Sequence, residues 1–331
     1  MTTQHIDGFV LTPGGFIRGV LEHDKGRVVG IDGSAVPEHE ARHGAQDLPL
    51  ILPGFIDTHV HGGAGRDTME GGDAAARLAQ LHARHGTTSL LATTMTAPLD
   101  EIRQAMRALA PTCVERPTGG ARVLGVHLEG PYINPGKLGA QPDFAKAASI
   151  DEIRALHALA PIRLITLAPE LPGNLELVER LSEAGFRIQI GHTLGTYEDG
   201  VAALARGAGG FTHLFNAMTG LHHREPGMVG AALAHARYAE IIPDLLHVHP
   251  GAIRVALRSI PHLFCVTDST AAAGMPDGEY RLGRHRVTKC LGGVRLPDGT
   301  LAGSTLTMDQ ALRNLVLKLG LSIEDASRRV S

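Results

Sequence analysis

The chain has 331 residues, 43% of them hydrophobic, which is enough for one large α/β barrel or two ordinary domains with a buried core. Its 31 Lys and Arg nearly balance 34 Asp and Glu, and the net charge of −3 excludes an overall basic field for nucleic acid or an anionic membrane. Three widely spaced cysteines, no apparent leader and no long apolar run predict a soluble protein of the reducing cytoplasm.

The first fifty residues differ from the rest of the chain. Short strand-like pieces at 9–11, 16–21 and 27–31 are separated by glycine, proline and charged turn residues. This pattern predicts a small β domain over residues 1–50, with the character of a partial sandwich.

From residue 51 onward, strand and helix signals alternate through residue 331. Eight apolar segments are candidate strands, at 52–58, 89–94, 124–129, 163–168, 187–192, 210–215, 240–247 and 263–268. The helical segments between them are closed in several cases by a glycine, such as Gly86, Gly185 and Gly207. The alternation predicts a (β/α)₈ TIM-like barrel, an α/β fold. Turn-rich residues then predict a hairpin insert at about 276–300, before a last helix at 306–319.

Histidine and acidic residues stand where several of these strands end. His59 and His61 alternate around Val60, so both imidazoles point to the same side of an extended strand and can bind one metal ion. Asp57 precedes them on that side and is expected to support them from behind. A His-x-His pair alone is a moderate signal, but its place at the end of an apolar strand favours ligands.

Glu129, His192 and His213 follow or end the third, fifth and sixth predicted strands. A single histidine is more often a hydrogen-bonded structural residue than a ligand. Because a barrel gathers the carboxyl ends of its strands at one face, the three predict the shell of a catalytic metal with a position left for water. The fourth strand's end, 164–170, has no lysine that could bridge two ions, so we expect Glu129 to be the central or bridging ligand.

Asp268 ends the eighth predicted strand and is the candidate catalytic residue. A metal lowers the pKa of a coordinated water from 15.7 to about 7. A nearby carboxylate can accept the proton of that water and later pass it to a leaving amine. The residues therefore predict a metal-assisted hydrolase.

Seven motifs, collinear over nearly the whole chain, carry a more specific resemblance. They are 53–63 (PGFIDTHVHGG), 127–131 (HLEGP), 191–193 (GHT), 212–218 (THLFNAM), 222–227 (HHREPG), 266–278 (VTDSTAAAGMPDG) and 298–309 (DGTLAGSTLTMD). Together they resemble the N-acetylglucosamine-6-phosphate deacetylase family of the amidohydrolase superfamily.

The resemblance implies hydrolysis of the N-acetyl group of N-acetylglucosamine 6-phosphate to glucosamine 6-phosphate and acetate, with a divalent metal, zinc or iron, as cofactor. It implies that Glu129, His192 and His213 bind one ion, and that His59 and His61 match the additional ligands of those members that hold two metals, which leaves one or two ions open. It assigns the acid/base role to Asp268, which in members with two metals also acts as a ligand.

The resemblance also implies a set of substrate contacts. They are Ala140, Gln141, Asn216, Ala217, Arg224, His247, Thr300, Leu301 and Ala302. In this assignment the last three line the acetyl pocket, and Arg224 reaches the phosphate of the neighbouring subunit in a homodimer. From the residues alone, a surface ion pair between Arg224 and Glu225 is the simpler interpretation.

Three departures from the family pattern bear on function. Gln141 stands where many relatives have a sugar-contacting histidine, and Leu245 replaces a usual glycine. Members of the family continue beyond residue 331, so we expect a small domain whose strands have open edges. The alternatives are an amidohydrolase for a different acyl amino sugar or a cyclic amide, and an inactive, truncated sugar-phosphate binding protein.

Overall fold

The N-terminal part of the chain is a small, mainly antiparallel sheet in a computed structural model that describes residues 3–331. Its elements are β1 (Gln4–Thr12), β2 (Gly15–Asp24), β3 (Arg27–Val36), helix α1 (Glu38–Gly44) and β4 (Leu50–Ile51). The strands lie in the order β3-β2-β1-β4, and β4 runs parallel to β1. Phe9 and Phe16 pack against Ala41 of α1 in a small core that Ile323 completes.

The predicted small β domain is thus confirmed as one sheet covered by α1. The strand-like pattern did not predict this helix. Its two first-turn acids, Glu38 and Glu40, and its last-turn bases, Arg42 and His43, suit the helix dipole. The second layer of a sandwich stays a prediction.

The rest of the chain alternates strands and helices. The strands, in chain order, are β5 (Phe55–Val60), β6 (Gly62–Gly63), β7 (Arg66–Asp67), β8 (Thr87–Thr93), β9 (Arg122–Glu129), β10 (Ile162–Leu167), β11 (Ile188–Ile190), β12 (Gly210–Phe211), β13 (Tyr238–Ile241), β14 (His262–Cys265), β15 (Gly278–Leu282), β16 (His285–Cys290) and β17 (Gly293–Arg295). The helices are α2 (Ala74–Arg84), α3 (Leu99–Val114), α4 (Ile150–His157), α5 (Asn174–Glu183), α6 (Tyr197–Ala205), α7 (Gly227–His235), α8 (Pro250–Ser259), α9 (Met308–Arg313) and α10 (Ile323–Val330).

Eight parallel strands form the predicted barrel, in the order β5-β8-β9-β10-β11-β12-β13-β14. The first and last strands join just beyond β14, where His61 N donates to Ser269 O and Asp268 N donates to His59 O, both at 2.9 Å. Several of the helices bury one face against the sheet. In α3, for example, Ile102, Met106 and Leu109 are buried at the spacing of one helical face.

Several predicted boundaries are wrong. The sixth strand ends at Phe211 rather than 215, because the backbone at His213 turns into the left-handed region. The seventh ends at Ile241 rather than 247, and Pro243, which has no N–H to donate, lies two residues further on. The insert is a three-stranded antiparallel sheet of β15, β16 and β17, and the last predicted helix changes at Asn314 into a π-helical turn.

Among the residues that the structure describes, no helix combines the length and apolar character needed to cross a membrane.

A buried histidine next to the barrel closure predicts acid sensitivity. His82 lies on α2, with Nε2 3.2 Å from Gly62 O, and burial lowers its pKa from 6.5 to about 4. Between these two values the unfolded chain binds a proton that the folded chain does not. The free energy of unfolding is therefore undiminished above pH 6.5 and falls by roughly 3 kcal/mol as the pH drops to 4.

We expect His82→Gln to remove this part of the pH dependence. Denaturant unfolding of both proteins at half-unit steps from pH 7.5 to 4 would measure it. The exposed His39, replaced by Gln, is the control and should leave the slope unchanged. Equal slopes for wild type and His82→Gln would refute the prediction.

Candidate active site

The predicted ligands meet at the carboxyl-terminal face of the barrel. His59 and His61 lie at the end of β5, and their Nε2 atoms are 3.2 Å apart. Asp268 follows β14 and faces the same pair, with its Oδ1 3.5 Å from His59 Nε2 and 3.3 Å from His61 Nε2. These three side chains form one group of potential metal ligands.

Glu129, at the end of β9, belongs to a second such group with His192 and His213. Its Oε1 lies 3.2 Å from His192 Nε2 and 3.1 Å from His213 Nε2. Its Oε2 lies 3.1 Å from His61 Nε2, so the carboxylate stands between the two groups. This is the central position expected from the missing lysine on the fourth strand.

The donor set fits divalent ions. His192 Nε2 and His213 Nε2 face each other at 3.1 Å, as the corresponding atoms of His59 and His61 do. Two neutral imidazoles cannot hold their lone pairs toward each other at this distance without a cation or a proton. Imidazole and carboxylate donors are those that zinc, iron, cobalt and manganese accept.

Hydrogen bonds behind the rings fix which nitrogen of two ligands faces the centre. His192 Nδ1 donates to Lys137 O at 2.9 Å, and His59 Nδ1 lies 3.0 Å from Glu240 Oε2. Both contacts leave Nε2 to the metal. Sequence reasoning missed Glu240. Its signal was an acidic residue at the first position of the seventh predicted strand, directly before Ile241 and Ile242.

Both central carboxylates are ionised. Burial alone would raise the pKa of Glu129, but His59 and the other imidazoles outweigh it and hold that pKa well below its usual value. For Asp268, burial is likewise outweighed by His59 and His61, and the pKa falls to about 2. Asp268 is therefore an acceptor for a proton near neutral pH.

The backbone at three of these residues is strained. His192, His213 and Asp268 have φ values of 49°, 30° and 50°, in the left-handed region that residues other than glycine rarely adopt. Such conformations cost of order 1–3 kcal/mol each and cluster at functional sites. Here they turn the side chain that follows a strand back over the mouth of the barrel.

A cavity of about 360 Å³ lies over the ligands. Its lining includes most of the predicted substrate contacts, namely Ala140, Gln141, Asn216, Ala217, His247, Thr300 and Leu301. Ala302 lies behind this lining, fully buried, with its N–H donating to Val294 O. Arg224 is exposed and outside the cavity of its own chain.

The Arg224–Glu225 ion pair considered from the sequence is absent from residues 3–331 of the structure. Within that range Arg224 has no carboxylate within 4.0 Å, and its Nη1 donates to His223 Nε2 at 2.7 Å. The guanidinium is thus left without an anionic partner in its own chain.

Gln141 contacts the central carboxylate, that of Glu129, directly. Its Oε1 accepts from Thr96 N at 2.7 Å, and its Nε2 donates to Glu129 Oε2 at 2.6 Å. The side chain is buried, so the amide holds Glu129 against the backbone of the next loop. This contact was not visible in the sequence, where Gln141 was assigned to the sugar alone.

His247 is held by a carboxylate three residues before it. Its Nδ1 donates to Asp244 Oδ2 at 2.6 Å, which leaves Nε2 toward the cavity. Burial lowers the pKa of His247, but Asp244 raises it more, and the net shift is upward. Leu245 keeps a φ of 67°, a conformation that glycine adopts at no steric cost. The backbone of this loop therefore keeps a conformation suited to glycine, and Leu245 is strained in it.

Asp57 and His127 lie behind the ligands. Asp57 accepts from Thr267 Oγ1 at 2.6 Å, and burial raises its pKa to about 7. His127 Nε2 is 2.7 Å from Thr166 Oγ1. Neither side chain belongs to the two ligand groups around Glu129 and Asp268, which agrees with the supporting place expected for Asp57.

Comparison with known proteins agrees with this site. Residues 50–318 match the model of the amidohydrolase family. The N-acetylgalactosamine-6-phosphate deacetylase of Escherichia coli O157:H7 is 43% identical over 292 residues, 86% of this chain and 77% of that protein. The N-acetylglucosamine-6-phosphate deacetylase of Lysinibacillus sphaericus is 42% identical over 273 residues, 80% of this chain and 70% of that protein.

Solved structures agree as well. A mutant of N-acetyl-D-glucosamine-6-phosphate deacetylase from Mycobacterium smegmatis, in complex with N-acetyl-D-glucosamine 6-phosphate, superposes with a TM-score of 0.88 and 33% identity. That match covers 100% of this chain and 88% of the mycobacterial chain. The chain is a metal-dependent hydrolase with a TIM-like barrel. It belongs to the amidohydrolase family, and the relatives named above are amino-sugar-phosphate deacetylases.

Proposed function

We propose that the enzyme hydrolyses the N-acetyl group of N-acetylglucosamine 6-phosphate to glucosamine 6-phosphate and acetate. The observation that carries this is the set of five metal ligands and Asp268 at the base of one cavity. The named activities of the relatives above support the substrate class.

The centre would hold two divalent ions, zinc or iron. Glu129, His192 and His213 would bind one, and His59, His61 and Asp268 the other, with Glu129 between them. When bound, such ions polarise the carbonyl group of the substrate and lower the pKa of water, so that its oxygen can attack the carbonyl carbon near neutral pH.

The chain's own residues move the proton. Asp268 accepts a proton from the water whose oxygen adds to the amide carbon. When the C–N bond breaks, Asp268 returns this proton to the sugar nitrogen, so the products are the amine and acetate. His247, whose Nε2 faces the cavity, donates to the carbonyl oxygen and orients the amide. Thr300 and Leu301 would surround the acetyl methyl group, with Ala302 behind them.

The phosphate would be bound across a homodimer. Asn216 and Ala217 line the cavity of one chain, and Ala140 and Gln141 border it on another loop. Arg224, exposed and without an anionic partner among residues 3–331, would reach the phosphate in the neighbouring subunit's cavity. A guanidinium suits this contact because it can form two charge-assisted hydrogen bonds with one phosphate.

We expect Arg224→Ala to raise KM for the phosphorylated sugar by roughly 10- to 100-fold, because a hydrogen bond to a charged group contributes about 1.5–3 kcal/mol. The value of kcat should change little, since the lost contact is remote from the amide. Acetate release at varied substrate concentration measures both constants. The exposed Arg107, replaced by Ala, is the control. An unchanged KM in Arg224→Ala would contradict the phosphate role.

Acetate release from three sugars tests the substrate. The proposal expects efficient turnover of N-acetylglucosamine 6-phosphate and poor turnover of N-acetylglucosamine. A second candidate is N-acetylgalactosamine 6-phosphate, favoured by the 43% identity to the Escherichia coli enzyme with that name. The two phosphorylated sugars differ only in the configuration at C4, so the ratio of their kcat/KM values decides between them. Equal kcat/KM values for the sugars with and without the phosphate would indicate that the substrate is a different acyl amide.

A further inference from the structure

Glu240 is a buried carboxylate without a lysine or arginine partner in the structure of residues 3–331. It lies on β13 with no exposed surface. Its side chain contacts His59 Nδ1 at 3.0 Å, His213 N at 3.2 Å and Thr58 Oγ1 at 3.4 Å. A buried charge is costly unless hydrogen bonds and a partner of opposite charge compensate it, and those that Glu240 accepts come from the proposed metal centre.

One oxygen of this carboxylate serves both ligand groups. Oε2 accepts from the ring of His59, which belongs with His61 and Asp268, and from the main-chain N–H of His213, which belongs with Glu129 and His192. The His213 contact holds a residue whose φ of 30° is strained. Apart from the ligands themselves, Glu240 is the only residue among 3–331 whose side chain bonds directly to a ligand of each group.

We infer that Glu240 is a positioning residue that sets the affinity of the His59 side of the metal centre. Its carboxylate holds the proton of His59 on Nδ1, turns Nε2 toward the ion and makes that nitrogen a stronger donor. Partners of this kind change metal affinity by 10- to 100-fold when removed. The inference rests on the proposed two-ion centre.

Asp67 provides a matched comparison near the same face of the barrel. It too is a buried carboxylate, and it accepts from Met69 N and Gly283 N. Its side chain bonds to none of the proposed ligands. A role in folding alone would therefore make Asp67 and Glu240 equivalent, whereas a role in metal binding distinguishes them.

The test compares Glu240→Gln with Asp67→Asn, and each new side chain is nearly the same size as the one it replaces. Each metal-free protein is titrated with Co²⁺, its visible spectrum is recorded, and bound metal is counted after gel filtration. We expect two ions in wild type and in Asp67→Asn. In Glu240→Gln the second ion should bind 10- to 100-fold more weakly while the first is retained. Equal affinities in all three proteins, or a single ion in wild type, would overturn the inference.

A measurement on wild type covers the case in which Glu240→Gln does not fold. In the zinc-loaded protein, ¹⁵N-edited NMR of the histidine rings should show His59 protonated at Nδ1 and bound through Nε2. The opposite tautomer would overturn the inference. The test of the deacetylase function is independent of this test of Glu240. If wild type releases acetate and Glu240→Gln binds metal normally, the proposed function stands and the inference is wrong. If wild type has no deacetylase activity but its second ion depends on Glu240, the inference stands and the proposed function is wrong.

Discussion

Replacing Asp268 by Asn is expected to lower kcat for acetate release by about 10³-fold, with KM within a few-fold of wild type. Asparagine keeps the shape and one oxygen but cannot accept a proton from water or return it to the amine. Positioned proton transfer contributes typically 10²- to 10⁴-fold to a rate. The low pKa of Asp268, about 2, means that the wild-type side chain is an ionised acceptor over the whole neutral range.

A lower kcat can be assigned to proton transfer only if wild type and Asp268→Asn bind the same amount of metal. Asp268 lies 3.3 Å from His61 Nε2, so Asn could also weaken one ion, and both proteins must be assayed at saturating metal with the bound ions counted. Asp100→Asn is the control for the loss of a negative charge away from the active site, because this side chain on α3 is 93% exposed. Equal rates for wild type and Asp268→Asn at equal metal content would refute the proton-transfer mechanism.

The positions of the strand ends explain why the proposed ligands could be selected from the sequence. In a parallel barrel every strand delivers its carboxyl end to one face, so an apolar run followed by His or Glu is interpretable without coordinates. His59, His61, Glu129 and Asp268 were found in this way, and the structure brings all four together. The sequence motifs added the family but were not needed for the ligand set.

Other features depend on contacts between distant segments and leave no local signal. Gln141 lies twelve residues after Glu129, and nothing in the intervening loop indicates that its amide returns to that carboxylate. Glu240 is joined to His59 across 181 positions of sequence. The left-handed backbone at His192 and His213 is likewise imposed by tertiary structure, because residues other than glycine, histidine included, adopt it only uncommonly.

The N-terminal region shows that a short helix is hard to predict from a single sequence. Its strands were predicted from turn residues, but α1 has only seven residues, too few for a clear helical period. Its formation depends on burial of Ala41 against Phe9 and Phe16. Short helices of this kind are stabilised by packing rather than by propensity, so a single sequence gives little warning of them.

Replacing Glu129 by Gln should abolish both metal binding and activity. The carboxylate is buried and lies within 3.5 Å of Nε2 atoms on four histidines, His59, His61, His192 and His213. A neutral amide can coordinate through one oxygen only and contributes no negative charge to a centre with two cations. We therefore expect less than one ion per chain after gel filtration and acetate release below detection.

Thermal unfolding with and without added zinc provides an independent readout. Metal that binds only the folded state stabilises wild type by about 4 kcal/mol at a thousand times its Kd, so the Tm of wild type should rise with zinc. The Tm of Glu129→Gln should not. Glu170→Gln is the matched control, because Glu170 tethers Thr193 and Leu194 behind His192 without facing the ions. It should lower stability yet keep the response to zinc, whereas a full zinc response in Glu129→Gln would show that Glu129 is not the central ligand.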